Sequence, residues 1–201
     1  MPDSRETEQI VAPTGVTKPA RAALALAPRT LVLGGARSGK SVFAESLFAN
    51  ETNRVYFATA EAENAEMETR VLAHRTRRGD AWITIEEPRD LAGVLKAQSR
   101  PGRVILVETL TMWLANLIAA RSDVPAAIDA LAALLPALPA PVVLVSDEVG
   151  MGLAPDTAAG REFRDHVGTL NQRLAQVCQR VYFVAAGLPL VLKDQWSGVS
   201  R

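Results

Sequence analysis

Short apolar runs punctuate the chain at TLVLG (30–34), RVYFAT (54–59), RVILVE (103–108), PVVLVS (141–146) and RVYFVAA (180–186). They are continuous and rich in Val, Ile and Leu, the pattern of strands buried on both faces, as in a parallel sheet. WITIEE (82–87) fits a further short strand. Between the runs the period lengthens. After Ser41, the apolar residues Phe43, Leu47 and Phe48 recur on one side of a helix. From Arg161 to Gln179, Phe163, Val167, Leu170, Leu174 and Val177 step by four, three, four and three residues, which makes one stripe facing the sheet. Strands alternating with amphipathic helices predict an α/β, three-layer domain with a mostly parallel central sheet.

Residues 1–28 mix charges with Pro13, Pro19 and Pro28 and show no periodicity, so a disordered tail is expected there, with a single domain over 29–201. The most apolar stretch, Val124 to Val145, contains Pro125, Pro136, Pro139 and Pro141. Prolines at that density break a spanning helix, and the stretch reads as a helix, a proline-rich linker and a buried strand. No stable membrane insertion is expected. Lys+Arg and Asp+Glu both total 22, so nothing in the overall charge suggests nucleic acid, and any positive field must be local. The one cysteine, Cys178, excludes an intrachain disulfide and suits a reducing compartment. With no secretory signal at the N-terminus, a soluble cytoplasmic protein is expected.

Candidate chemistry begins directly after the first strand. Gly34, Gly35, Ala36, Arg37, Ser38, Gly39, Lys40 and Ser41 form the pattern G-x-x-x-x-G-K-S, set between a strand and an amphipathic helix. Glycines let the backbone curl so that N–H groups point at phosphate oxygens, and the helix presents its positive end to the same anion. Lys40 can reach the β- and γ-phosphates, and the Ser41 hydroxyl can ligate Mg²⁺. This makes the domain P-loop NTPase-like. A P-loop works with a carboxylate at the end of a neighbouring strand, and Glu108 fits as a metal ligand alongside Ser41. Asp147 and Glu148, in SDEVGMG (146–152), compete for that role.

His74 is one of only two histidines and has Arg70, Arg75, Arg77 and Arg78 within four residues. Nearby positive charge disfavours imidazolium, so a neutral ring with a free lone pair is expected. The arginines can neutralise a phosphate brought against it. Those are the needs of a nucleophile attacking phosphorus, and equally of a histidine that only hydrogen-bonds a phosphate. The arginines themselves read as a phosphate clamp or as a solvated charge run. His166, within the stripe-bearing helix, reads as a helix-surface or boundary residue, and Cys178 as core.

Taken in order, LVLGGARSGKSVFAE, YFATA, EMETRVLAHRTRRGDAWITIEEP, LVETLTMWLANL, VVLVSDEVGMGLAP and GREFRDHVGTLNQRLAQ resemble the bifunctional adenosylcobinamide kinase / adenosylcobinamide-phosphate guanylyltransferase family of cobalamin biosynthesis, from about residue 30 to 192. The resemblance implies two reactions. Adenosylcobinamide is phosphorylated by ATP or GTP, and GMP is then passed from GTP to that phosphate through a guanylylated histidine, giving adenosylcobinamide-GDP and pyrophosphate. It implies that His74 is the nucleophile and Lys40 the other catalytic residue, and that Gly34 to Ser41 form the P-loop. It also implies that Ala58, Thr59, Ala60, Arg75, Thr76, Arg77, Arg78, Glu86 and Glu108 line the guanine nucleotide site. A homotrimer follows from the same resemblance. The chain carries Glu108 where many relatives have Asp, and Asp147 where Asn is common. The alternative readings are a simple P-loop small-molecule kinase without nucleotidyl transfer, and a regulatory NTPase that binds a partner protein.

Overall fold

The computed structural model describes residues 26–60 and 81–197. In chain order these hold β1 (Arg29–Gly34), α1 (Lys40–Ser46), β2 (Arg54–Ala58), β3 (Trp82–Glu86), α2 (Leu91–Gln98), β4 (Val104–Glu108), α3 (Leu110–Ala119), α4 (Val124–Leu134), β5 (Val142–Asp147), α5 (Ala158–Val177), β6 (Arg180–Ala185) and β7 (Leu188–Asp194). A short 3₁₀ turn, Leu135–Ala137, follows α4.

The strands form one seven-stranded sheet in the order β3-β2-β4-β5-β1-β6-β7, in which only β7 runs antiparallel to its neighbour. Continuous apolar strands need cover on both faces, and the two-residue side-chain period divides them between two cores. Leu31, Leu33, Val55, Phe57, Ile105, Val107, Val142 and Leu144 pack with Leu91, Leu95, Leu110, Trp113, Ile128, Leu131, Leu170 and Leu174 from α2 to α5. Val32, Tyr56, Leu106, Val143, Val145 and Tyr182 pack with Phe43, Ala44 and Phe48 around α1. The expected three-layer α/β architecture is the one observed.

Local chemistry sets the helix starts. Asp90, Thr109, Asp123 and Thr157 each accept a hydrogen bond from the backbone N–H three residues on, giving α2 to α5 an N-cap. On the side opposite the P-loop, the buried Arg29 guanidinium donates to the carbonyls of Pro28, Leu135, Leu138 and Ala140. It thereby ties the start of β1 to the proline-rich connection before β5, and burial lowers its pKa.

The structure adds to the sequence-based reading in three places. Helices α2 and α3 also belong to the apolar layer, through Leu91 and Leu95 and through Leu110, Trp113, Leu114 and Leu117. Strand β7 carries Pro189 and has exposed Leu188, Leu190, Val191 and Leu192, so it lacks the buried run that marks the other strands. As an edge strand it tolerates both features. Before β1, Ala27 is fully buried and Leu26 packs on the α1-side core, so the fold begins slightly ahead of residue 29.

Candidate active site

Because the first six strands are parallel, their C-terminal ends line up along one edge of the sheet. The P-loop leaves that edge from β1, and two of its glycines are required by what surrounds them. A Cβ on Gly34 would lie 2.5 Å from Ser38 Oγ and 2.6 Å from the Val184 carbonyl. Gly39 has φ 92°, and its Cβ would stand 3.0 Å from Gly187 Cα. Gly187, in the turn between β6 and β7, donates its N–H to the Ser38 carbonyl at 2.8 Å. The loop is therefore braced from behind by the β6–β7 hairpin. Ala36 and Arg37 are exposed, and Arg37 holds a left-handed conformation with φ 56°. The Ser38 hydroxyl is buried and has no partner among the described residues, which leaves a donor for an anion.

Lys40 opens α1 and is largely buried. Its ammonium lies 2.6 Å from Asp147 Oδ1 and donates to the Gly35 carbonyl at 3.3 Å. Asp147 ends β5, the strand beside β1, in direct register with Gly34. Its backbone is held from two sides: its N–H donates to Thr111 Oγ1 at 2.8 Å, and its carbonyl accepts from Asn171 Nδ2 at 3.1 Å. The next residue, Glu148, donates its N–H to the Gly34 carbonyl, while its carboxylate is taken up within its own loop by the Gly150 N–H at 2.5 Å. The sequence placed Asp147 only as a competitor to Glu108. The structure brings it to the P-loop lysine.

Glu108 ends β4, which β5 separates from β1. At about 4.8 Å per strand, that is roughly 10 Å across the sheet from Gly34. Glu108 is buried and accepts from the Tyr56 hydroxyl at 3.1 Å. Beside it, Ala58 ends β2 in register with Glu108. The buried Thr59 commits its hydroxyl to the Thr109 carbonyl at 2.7 Å, and its own carbonyl accepts from Asn116 Nδ2 at 2.7 Å. Ala60 is half-buried. Glu86 is exposed at the end of edge strand β3, four strands and about 19 Å from the P-loop strand. The described candidates thus form two groups along one edge, one over β1 and β5 and the other over β2, β3 and β4. His74, Arg75, Thr76, Arg77 and Arg78 lie outside the described residues.

The donor set suits Mg²⁺. Among the described residues no group of three or more His, Cys, Asp or Glu side chains could hold a metal, so no all-protein cage is present there. Mg²⁺ does not need one, since it is commonly held by one or two carboxylates with substrate phosphates and water. The Ser41 hydroxyl next to Lys40 and the Asp147 carboxylate at the end of the adjacent strand are donors of that kind, with Glu108 one strand further away.

Elsewhere, His166 sits on α5 with Nε2 3.7 Å from Glu162 Oε1 one turn earlier, as a boundary residue would. Cys178 is buried in the core beyond α5, and burial pushes its thiol up to about 12. No described helix is long and apolar enough to cross a membrane.

Comparison with known proteins bears on both groups of residues. A family model described as cobinamide kinase / cobinamide phosphate guanyltransferase matches residues 30–192. The chain is 45% identical over 172 residues to the bifunctional adenosylcobalamin biosynthesis protein CobP of Pseudomonas aeruginosa, covering 83% of this chain and 98% of that one. It is 36% identical over 178 residues to the bifunctional adenosylcobalamin biosynthesis protein CobU of Escherichia coli, covering 81% of this chain and 98% of that one. Among solved structures, an ATPase of a bacterial type III secretion system superposes with a TM-score of 0.50 at 11% identity, over 85% of this chain. This chain spans 59% of that ATPase, and the likeness is one of fold.

Proposed function

The chain belongs to the cobinamide kinase / cobinamide phosphate guanyltransferase family, and on that premise we propose how its residues divide the two reactions. The protein is a bifunctional transferase of adenosylcobalamin biosynthesis, both a cobinamide kinase and a cobinamide phosphate guanylyltransferase. In our reading the kinase step uses the P-loop. The backbone N–H groups of Gly35 to Gly39 and the Ser38 hydroxyl hold the donor phosphates, and Lys40 meets the charge that develops on the transferring group. Mg²⁺ would be held by Ser41 with Asp147 or Glu108, and supplies charge neutralisation at the phosphates. ATP or GTP serves as donor.

For the second step, His74 attacks the α-phosphorus of GTP, displaces pyrophosphate and carries GMP to the corrinoid phosphate. Arg75, Thr76, Arg77 and Arg78 hold the phosphates, and Ala58 to Ala60, Glu86 and Glu108 line the guanine nucleotide site. The observation that carries this reading is that one family match spans both the P-loop and the His74 segment. We further read the protein as a cytoplasmic homotrimer.

The test is chemical. A histidine nucleophile leaves a P–N bond, labile in acid and comparatively stable in base, whereas a serine or threonine ester behaves in the opposite way. Protein incubated with α-labelled GTP and Mg²⁺ should take up label that acid removes. His74→Ala should take up none and should still phosphorylate cobinamide, while His166→Ala should label normally. Label persisting in the His74 variant, or surviving acid in the wild type, would leave a plain kinase with His74 as a phosphate ligand.

A further inference from the structure

We propose that Asp147 is a specificity-determining carboxylate of the P-loop site, one that makes tight binding of phosphate anions conditional on Mg²⁺. The inference rests on the reading of the P-loop as the phosphoryl-donor site, and adds to Asp147, there one of two alternative Mg²⁺ ligands, a role toward anions that carry no metal.

The argument starts from the ion pair. Lys40 is the P-loop cation, and its ammonium is already 2.6 Å from Asp147 Oδ1. The Asp147 main chain is held in place, so its carboxylate can leave Lys40 only by side-chain rotation. It lies in register with Gly34, and its backbone is fixed by Thr111 and Asn171. The neighbouring carboxylate that could share its burden, Glu148, is engaged by Gly150. A phosphate entering the loop must take Lys40 from Asp147, and the carboxylate is then left beside a second anion.

Charge counting gives the consequence. For a bare phosphate or pyrophosphate the Lys40–Asp147 pair presents no net charge, and the like-charge contact opposes binding. A divalent cation on the phosphates supplies the positive charge that Asp147 then faces. With Asn at this position the pair would present a full positive charge to any anion, metal-bound or not. Asp147 is partly open to solvent, at 25% side-chain exposure, so screening reduces the effect. About tenfold in affinity for a metal-free anion is the expected scale. A useful result of such selection is that the empty loop is not filled by free phosphate or pyrophosphate.

Calorimetric titration of the full chain with inorganic pyrophosphate, in EDTA and then in Mg²⁺, tests this. The wild type should bind metal-free pyrophosphate weakly and gain strongly on adding Mg²⁺. Asp147→Asn should bind the metal-free anion roughly tenfold more tightly, and its gain from Mg²⁺ should shrink by a similar factor. Asp147→Glu, which restores the carboxylate, should recover most of the metal dependence, and thermal melts establish that each variant is folded. Metal-free pyrophosphate affinity unchanged in Asp147→Asn, or a Mg²⁺ gain equal to that of the wild type, overturns the proposal. Lys40→Ala separates the two readings: if it binds Mg²⁺-pyrophosphate and Mg²⁺-nucleotide like the wild type, the P-loop is not the donor site. If Lys40→Ala loses binding and Asp147→Asn behaves as the wild type, only the role of Asp147 fails.

Discussion

Replacing Gly34 by alanine perturbs the loop at the point where the fold leaves it least room. The added Cβ falls 2.6 Å from the Val184 carbonyl, whereas ordinary contact begins near 3.4 Å, so roughly 0.8 Å must be found. Ser38 Oγ, at 2.5 Å, can rotate aside, but the carbonyl cannot follow easily. Val184 pairs with Gly34 on one side and with Pro189 of the hairpin on the other. The strain therefore passes to the P-loop. Overpacking of this kind costs about 1–3 kcal/mol, and a phosphate cradle displaced by up to ~1 Å loses on the order of tenfold to a hundredfold in rate. Urea denaturation gives the first quantity, and cobinamide phosphorylation at saturating nucleotide the second. Gly35→Ala is the stability control: nothing lies within 4 Å of its Cβ, so its stability should change by no more than about 0.5 kcal/mol. If Gly34→Ala matches Gly35→Ala in stability and the wild type in rate, the clash with Val184 does not shape this loop.

Other parts of the molecule give further tests. Arg29→Met removes the donor shared by the Pro28, Leu135, Leu138 and Ala140 carbonyls and should lower stability by about 2–4 kcal/mol in urea titrations; a loss below about 1 kcal/mol would contradict that role. The Cys178 thiol is raised from 9.0 to about 12 by burial, so both folded and unfolded chains keep its proton below pH 9 and the unfolded chain ionises first above it. Stability should then fall with rising pH between those values, by roughly 1.4 kcal/mol per pH unit from this group, and Cys178→Ala should remove that component; identical pH profiles for the two proteins would refute it. Neutralising Arg75, Arg77 and Arg78 together should weaken GTP binding by more than the ~0.5 kcal/mol of ordinary surface changes, and unaltered affinity would return the segment to a solvated charge run.

The parts of the fold legible in the chain are those where burial dictates composition. Strands β1, β2, β4, β5 and β6 lie inside the sheet with helices over both faces, so nearly every position in them had to be apolar. The five-residue stripe of α5 is visible because its outer face is charged. Helix α3 is harder to read, since LTMWLANLIA buries Leu110, Trp113, Leu114 and Leu117 and leaves little polar contrast around them. Strand β7 is hidden for the opposite reason. Its place at the edge allows proline and exposes leucines, and the contact that makes its hairpin matter, Gly187 N–H to the Ser38 carbonyl, joins residues 149 positions apart through backbone alone. No side-chain pattern records a bond of that kind.

The site shows the same division. Gly34 to Ser41 can be read from the chain because the cradle is one continuous segment whose chemistry depends on spacing. The carboxylate that meets Lys40 is set by strand order, which a single sequence does not display. Glu108 and Asp147 both end apolar strands, and nothing in either run says which strand lies beside β1. The sheet order decides it: β5 is adjacent and β4 is one strand beyond, so Asp147 reaches Lys40 while Glu108 pairs with Tyr56. The same order puts Ala58, Glu108 and Glu86 on adjoining strand ends, although 50 residues separate the first two. Parallel connections carry each strand end back to one edge, so distant motifs share a surface there. Which of them touch depends on the order in which those connections place the strands.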